Sequence, residues 1–311
     1  MNSLVYIVMP CYNGEKYLLE QLMSIYYQNY TNWYLIFVND WSTDNSENIL
    51  RNWISHYNLH DKVDIINKEN GGVCSAIQRW LEEIKSMCDI NNDNNFVAYC
   101  DADDVWTREK LEVQVEYMNT CLGCWMSYHD MFVINENSKL EKISLHNNHY
   151  KDESFFSLIC YNIHFYSTEI MFRVRYINDI LPFPTWKFFS QDHWTALILS
   201  LLWVKIWYID KQLAYYRSWH ESLSKKRYQW NNWQAKQWLW YIESIKDKNI
   251  WVNISYEERY FKDRIQRQKK WYSAIKIRFL TMIKYPKVFI LILKALFIER
   301  KLFNFIMLYI H

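Results

Sequence analysis

The sequence predicts an α/β fold with a mostly parallel central sheet and flanking helices. Short apolar runs of strand length alternate with segments of helical periodicity over about the first 120 residues. Half of the 311 residues are hydrophobic, so the chain can bury a large core. The alternation implies βαβ units with parallel strand pairing and right-handed crossovers. Polar segments follow several of the apolar runs, at the strand ends where open α/β sheets bind ligands.

The first eight elements follow from apolar spacing and from the residues that open helices. Leu18, Leu22 and Ile25 recur at helical spacing, and a turn rich in Ser and Asp precedes the second helix. Thr107 opens the last helix of this series. We expect strands at 4–9, 34–38, 63–67 and 96–100, and helices at 17–27, 46–57, 73–87 and 107–119.

Beyond residue 120 the pattern is mixed, and from about residue 221 it is helical. We expect strands at 126–133 and 204–217 and helices at 155–161 and 192–203. The chain therefore divides into an α/β domain over 1–220 and a helical C-terminal extension over 221–311. Residues 261–311 carry 12 Lys and Arg against two acidic residues, between apolar runs too short to span a membrane.

Charge and cysteine content limit the partners. A formal net charge of +2 provides no global field that would favour nucleic acid. Seven scattered Cys and a strand-like start in place of a signal peptide predict reduced thiols and a cytoplasmic location. The basic extension favours peripheral attachment to an anionic membrane surface, on the inner face of the cell membrane. The alternative is a pair of helices that pack on the α/β domain with a solvated basic face.

An Asp-x-Asp unit follows the apolar run 96–99. Asp101 and Asp103 would therefore lie at the carboxyl end of a buried strand. Hard carboxylate oxygens suit Mg²⁺ or Mn²⁺ that bridges a diphosphate. By itself the unit is equally consistent with a solvated turn, because Asp is common in turns.

Three stretches in this order and spacing resemble glycosyltransferase family 2, whose members have the GT-A fold. They are VNDWSTDNS at 38–46, NGG at 70–72 and DADDVW at 101–106. The resemblance extends over about 220 residues and identifies 1–220 as a catalytic domain. SYHDM at 127–131 and QDHW at 191–194 resemble the rhamnosyltransferase-like branch of the family. The chain departs from the family pattern at Trp41, where the family has Gly, at Gln191, where the branch often has His or Glu, and at Trp219 before His220.

The resemblance implies a role for each matched residue. Asp40 would contact the base of a nucleotide, Asp101 its ribose and Asp103 a metal ion, with His220 as a further metal or phosphate ligand. Asp192 would be the general base that takes the proton of an acceptor hydroxyl. The implied nucleotide-sugar-binding residues are Pro10, Tyr12, Asn13, Asp40, Asn70, Gly71, Gly72, Asp101, Ala102 and Arg217.

Several of these residues also have ordinary structural explanations. Asp104 either caps the helix that follows it or supports a metal ligand. Asp192 could be the N-cap of an apolar helix, and 70–72 a simple turn. Arg217 could pair with phosphate or only with water, and an isolated His such as His220 is more often an ordinary surface residue.

The implied reaction is an inverting, metal-dependent transfer of a sugar, with rhamnose as the first candidate. The donor would be a nucleoside-diphosphate sugar, and the acceptor a saccharide or lipid-linked saccharide in surface polysaccharide biosynthesis. A nucleotidyltransferase is an alternative, because it also uses paired Asp residues and Mg²⁺. Such an enzyme would require a Gly-rich, basic phosphate-binding loop near residue 10, and residues 10–13 do not have that composition. An inactive sugar-nucleotide or polysaccharide binding module is the other alternative, and the carboxylates of Asp101, Asp103 and Asp192 argue against it.

The glycine and tryptophan contents are unusual. The chain holds 4 Gly and 17 Trp, whereas a chain of this length would hold about 22 Gly at roughly 7%. We hypothesise that many Trp are Gly in the organism, through a reassigned UGA codon, at positions such as Trp41, Trp80, Trp207 and Trp219. A genuinely Trp-rich protein is the alternative, and a true Trp41 would obstruct the nucleotide pocket. UGG codons at 41, 80 and 207 would refute the hypothesis.

Overall fold

A computed structural model describes residues 3–90, 94–121, 123–145, 165–183, 190–202 and 204–218. These residues all belong to the α/β domain that the sequence predicts. The predicted helix at 155–161 and the predicted C-terminal extension lie outside the described residues, as do His220 and Trp219.

The first half of the domain is a four-stranded parallel sheet in the order β3, β2, β1, β4. Its strands and helices are β1 (Val5–Cys11), α1 (Leu18–Tyr26), β2 (Trp33–Asn39), α2 (Ser46–Tyr57), β3 (Val63–Asn67), α3 (Val73–Met87) and β4 (Phe96–Tyr99). Every residue of β1 and of β4 is buried, as expected for strands that are covered by helices on both faces. All seven elements agree with the sequence-based expectation to within about two residues.

The second half extends the sheet beyond β4 with mixed pairing. β8 runs antiparallel between β4 and β6, β6 pairs in parallel with β9, and β5 pairs antiparallel with β9. The elements are β5 (Val105–Trp106), α4 (Lys110–Thr120), β6 (Cys124–Ile134), β7 (Leu140–Lys142), β8 (Met171–Arg173), α5 (Ile177–Ile180), α6 (Gln191–Leu201) and β9 (Lys205–Arg217).

The α/β fold with flanking helices is thus confirmed, while three short strands were not predicted. β5, β7 and β8 have two or three residues each, which is too few to show a period-two pattern. These strands depend on their pairing partners: β5 pairs with the edge of β9, and β8 pairs with the edge of β4. The strand β5 fixes the end of the acidic segment 101–104, which matters for the site below.

Candidate active site

Four loops leave the carboxyl edge of the parallel half of the sheet. β1, β2 and β3 end in register, with Cys11 beside Asn39 and Asn39 beside Asn67. The loops that follow the four parallel strands are 12–15, 40–45, 68–72 and 100–104. Motif residues that are far apart in the sequence are therefore brought to one edge of the sheet.

Asp40 anchors the third loop. The residue is only 3% exposed, and its carboxylate accepts hydrogen bonds from Lys68 Nζ at 2.6 Å, Gly71 N at 3.0 Å and Gly72 N at 2.9 Å. Asn70 lies exposed in the same turn. The two glycine N–H groups thus bind a carboxylate of the protein. Lys68, which the sequence analysis did not select, is the ion-pair partner of Asp40.

The backbone of this turn requires glycine. Gly72 has a φ of +79°, and a Cβ at Gly71 would lie 2.6 Å from Ser75 Oγ. Both conditions exclude a side chain without rearrangement. Because α3 begins at Val73, the two N–H groups that bind the Asp40 carboxylate immediately precede the first residue of this helix.

Asn13 joins the first loop to the second. Its N–H donates to Ser42 Oγ at 3.0 Å, and its Oδ1 accepts from Thr43 N at 2.8 Å. Pro10 lies within β1, and Tyr12, just after the strand, is 56% exposed. Asn13 therefore shapes the loop, while the Tyr12 ring lies at its surface.

Trp41 follows Asp40 with a backbone that favours glycine. Its φ is +68°, in the left-handed region that bulky residues rarely adopt, and the residue is 60% exposed. Trp80 differs, because it lies within α3 and is completely buried. Trp207 lies within β9 and is partly buried. The backbone thus supports the glycine hypothesis at residue 41 and gives no reason for glycine at residues 80 and 207.

Replacing Trp41 with Gly is expected to raise the free energy of unfolding by about 0.5–1 kcal/mol. Removing Cβ relieves left-handed strain of about 1–2 kcal/mol, which the greater backbone entropy of glycine partly offsets. Trp41→Ala is the matched control, since it removes the indole and keeps Cβ. Urea unfolding followed by circular dichroism measures the difference, and equal stability of the two variants would contradict the prediction.

The segment 101–104 is a crowded acidic turn. Asp104 is 1% exposed, and Asp101 and Asp103 are partly buried. Burial, followed by the charges of Asp104 and Asp103, raises the pKa of Asp101 well above its ordinary value. Burial and the charge of Asp103 likewise raise the pKa of Asp104. The turn therefore brings together carboxyl groups whose ionised forms are disfavoured by burial and by one another.

This turn fits a divalent cation chemically. Carboxylate oxygens are the ligands that Mg²⁺ and Mn²⁺ prefer, and a cation would relieve the repulsion between Asp101, Asp103 and Asp104. Asp104 Oδ2 is buried and has no hydrogen-bond partner among the described residues. Within the described part of the chain, no three His, Cys, Asp or Glu side chains are placed to hold an ion by themselves. Further ligands would therefore have to come from water, from a bound phosphate or from residues outside the described part.

Asp192 lies in the first turn of α6 and is 8% exposed. The N-cap residue of this helix is Ser190, so Asp192 is not the cap. Its Oδ1 accepts hydrogen bonds from Ser190 Oγ, from His193 N at 2.7 Å and from His193 Nδ1 at 3.1 Å. Burial raises the pKa of Asp192, but the bonds from His193 and Ser190 outweigh burial, so the pKa lies below its usual value.

α6 is linked to the acidic turn through Ser167, and to the preceding strand β4 by a direct hydrogen bond. Gln191 Nε2 donates to Ser167 Oγ at 2.5 Å, and Ser167 also bonds the Asp101 carboxylate. Tyr99 and Thr195 share a buried hydroxyl–hydroxyl bond of 2.9 Å. The negative charge of Asp192 contributes to the raised pKa of Asp101. The structure therefore places Asp192 beside the acidic turn, although Asp192 lies 88 positions after Asp104, the last residue of that turn.

The remaining predicted residues are divided between the site and its surroundings. Ala102 is partly buried within the acidic turn. Arg217 is buried at the end of β9, and its main-chain N–H donates to Asp104 Oδ1 at 2.8 Å. This bond joins Asp104 to β9, and α4 begins only at Lys110, so Asp104 does not cap that helix.

Sequence reasoning missed residues that act through hydrogen bonds between distant segments. Lys68 could have been noticed, because it lies between a predicted strand and the NGG turn. Ser167 and Thr168 are buried in a 3-10 turn, and Asp101 N donates to Thr168 Oγ1 at 3.4 Å. No periodicity or motif marks that stretch of the sequence.

The chain resembles a known protein family and several known glycosyltransferases. The family model "Glycosyl transferase family 2" matches residues 6–181. The chain is 30% identical over 116 residues to the putative teichuronic acid biosynthesis glycosyltransferase TuaG of Bacillus subtilis (strain 168), covering 37% of this chain and 42% of TuaG. It is 27% identical over 235 residues to glycosyltransferase GlyA of Streptococcus pneumoniae serotype 4, covering 70% of this chain and 31% of GlyA. The matched part thus spans less than half of either relative.

Two solved structures have a similar fold. S. aureus TarS 1-349 in complex with UDP-GlcNAc has a TM-score of 0.59 at 17% identity, covering 81% of this chain and 69% of that one. Mannosyltransferase PcManGT from Pyrobaculum calidifontis, in complex with GDP-Man and Mn²⁺, has a TM-score of 0.54 at 15% identity, covering 96% of this chain and 81% of that one. At these identities the likeness concerns the fold.

Proposed function

The chain belongs to glycosyl transferase family 2 and adopts the GT-A fold, and on this basis we propose that it is an inverting, metal-dependent glycosyltransferase. The donor is a nucleoside-diphosphate sugar and the acceptor a saccharide or lipid-linked saccharide. The observation that carries the proposal is the placement of Asp192 beside the acidic turn, through the hydrogen bonds that link Gln191, Ser167 and Asp101.

The donor binds along the carboxyl edge of the parallel strands. Asp40 and the turn at 70–72 receive the base, where Lys68 supplies a positive charge and Asp40 a buried acceptor. Tyr12 presents an exposed ring on the neighbouring loop, which Asn13 holds in place. Asp101 contacts the ribose. These groups orient the donor so that its diphosphate lies at the acidic turn.

Asp103 is the proposed protein ligand for Mg²⁺ or Mn²⁺, with His220 as a further ligand. The bound cation would neutralise charge on the departing diphosphate. PcManGT, which shares the fold, is described in complex with Mn²⁺. The orphaned Oδ2 of Asp104 and the mutual repulsion of the three Asp residues support a cation at this turn.

Asp192 takes the proton from the acceptor hydroxyl. The hydroxyl oxygen forms a bond to the anomeric carbon on the face opposite the diphosphate, the bond between that carbon and the phosphate oxygen breaks, and the nucleoside diphosphate leaves. The low pKa of Asp192 keeps the carboxylate ionised at neutral pH, and its bonds to Ser190 and His193 fix its direction.

The donor and the pathway are proposals that rest on relatives. TuaG is named for teichuronic acid biosynthesis, which favours a role in surface polysaccharide assembly. TarS and PcManGT are described with UDP-GlcNAc and GDP-Man. Resemblance to the rhamnosyltransferase-like branch makes a rhamnosyl donor the first to test. We further propose peripheral contact of the basic C-terminal extension with an anionic membrane; in the described residues no helix has the length and apolarity needed to cross a bilayer.

A panel of nucleotide sugars tests the proposal. The protein is incubated with UDP-, GDP- and dTDP-linked sugars, including dTDP-rhamnose, in Mn²⁺ and in EDTA, and release of the nucleoside diphosphate is measured. We expect release from one donor class, in Mn²⁺ only. Nucleotide-sugar binding without turnover for any donor would indicate a binding module instead, and turnover in EDTA would refute the metal-dependent mechanism.

A further inference from the structure

We propose that Arg217 is a positioning residue that holds the backbone of the acidic turn at Asp103 and Asp104, instead of a ligand of the donor diphosphate. Glu20 on α1 completes this arrangement by holding Arg217. The inference rests on the proposed function, since it assigns Asp103 as the metal ligand.

The guanidinium of Arg217 is bound to the protein on all three nitrogens. Nε donates to the Asp103 carbonyl oxygen at 2.7 Å, Nη2 to Glu20 Oε2 at 2.6 Å and Nη1 to Ser138 Oγ at 2.9 Å. Nη1 also donates to the Asn135 carbonyl oxygen at 3.2 Å. The side chain is fully buried. A guanidinium with these partners has little capacity left for a phosphate.

The main chain of Arg217 reaches the same turn. Its N–H donates to Asp104 Oδ1 at 2.8 Å, so Arg217 contacts two consecutive residues of the turn, one at the backbone and one at the side chain. One residue further, Val105 pairs with Tyr215 in the β5–β9 ladder. The turn is therefore fixed at its start by β4 and at its end by β9.

This geometry limits where the Asp103 carboxylate can point. The bond from Nε restrains the Asp103 carbonyl, and the backbone then sets the direction of the Cα–Cβ bond from which the carboxylate extends. The Arg217 guanidinium is bound in turn by Glu20, and its Cζ lies 4.3 Å from the centroid of the Tyr17 ring. Lysine could keep the charge but not the planar set of donors.

The test measures Mn²⁺ affinity of the full chain by electron paramagnetic resonance of free Mn²⁺, in wild type and in Arg217→Lys. We expect the dissociation constant of Mn²⁺ to rise by about 10–100-fold, the usual effect of removing a group that orients a metal ligand. Binding of UDP and of GDP in EDTA should stay at the wild-type level. Arg79→Lys, at an exposed ion pair with Glu83 on α3, is the matched control.

The opposite pattern would overturn the inference. If Arg217 were a diphosphate ligand, Arg217→Lys would weaken nucleotide binding in EDTA and leave Mn²⁺ affinity unchanged. Glu20→Gln is a milder variant in case Arg217→Lys does not fold. It should also weaken Mn²⁺ binding. Wild-type Mn²⁺ affinity in a folded Glu20→Gln protein would refute the positioning role of Glu20 and Arg217. A wild-type chain that binds no Mn²⁺ would refute this inference and the metal step of the proposed function together, whereas Mn²⁺ binding equal in all variants would refute only the inference.

Discussion

Replacing Asp192 with Asn is expected to lower kcat for sugar transfer by about 10²–10⁴-fold, the usual contribution of a general base. Asparagine has nearly the same shape, and its Oδ1 can still accept hydrogen bonds from Ser190 and His193. It cannot take a proton, so the loss should fall on the chemical step and leave donor affinity nearly unchanged. Steady-state transfer rates and donor titrations together measure the two effects.

The pH profile provides a second measurement of the same assignment. Because the hydrogen bonds from His193 and Ser190 lower the pKa of Asp192 despite its burial, the acid limb that Asp192 contributes to the profile should lie below the usual carboxylate range. A limb at higher pH would belong to Asp101 and Asp104, whose pKa values are raised. His193→Ala removes the principal partner, so the acid limb should move to higher pH. Asp61→Asn, an exposed position outside the site, is the control. Near-wild-type kcat in Asp192→Asn would exclude Asp192 as the base.

Replacing Asp103 with Asn is expected to reduce Mn²⁺-dependent turnover by about 10²–10³-fold. This corresponds to about 3–4 kcal/mol of transition-state stabilisation, a common contribution of a catalytic cation. The same substitution removes one charge from the turn that it shares with Asp101 and Asp104, where Asp103 raises the pKa of both neighbours. Thermal stability without metal should therefore rise.

Opposite changes in activity and stability distinguish a metal ligand from a structural residue. A substitution that merely damages the turn would lower both quantities. Adding EDTA to Asp103→Asn should cause little further loss, because the variant and the chelator remove the same interaction. Full Mn²⁺-dependent activity in the variant would contradict the assignment of Asp103.

The parallel half of the fold could be predicted because its signals are local. Apolar runs such as 63–67 and helical spacing such as 73–87 mark elements whose bounds the structure reproduces. The short strands β5 and β8 have no local signal, since their existence depends on the edges that they pair with.

The candidate site divides in the same way. Asp40, Asp101 and Asp192 could be selected because motifs mark them, and the structure brings all three to one edge of the sheet or beside it. Their partners Lys68 and Ser167 bind through side chains whose proximity only folding creates. The left-handed backbone of Trp41 also depends on the path of its loop. In the sequence, only the low Gly and high Trp contents indicated that this position is unusual.

The ion pair between Glu20 and Arg217 joins residues 197 positions apart. Closing so long a loop is slow, so the parallel half can form in a growing chain well before β9 is available. A chain interrupted before β9 would carry almost every recognisable motif and still lack the contacts that set the acidic turn. The acidic turn would then reach its final geometry only after residue 217 has been synthesised and β9 has joined the sheet.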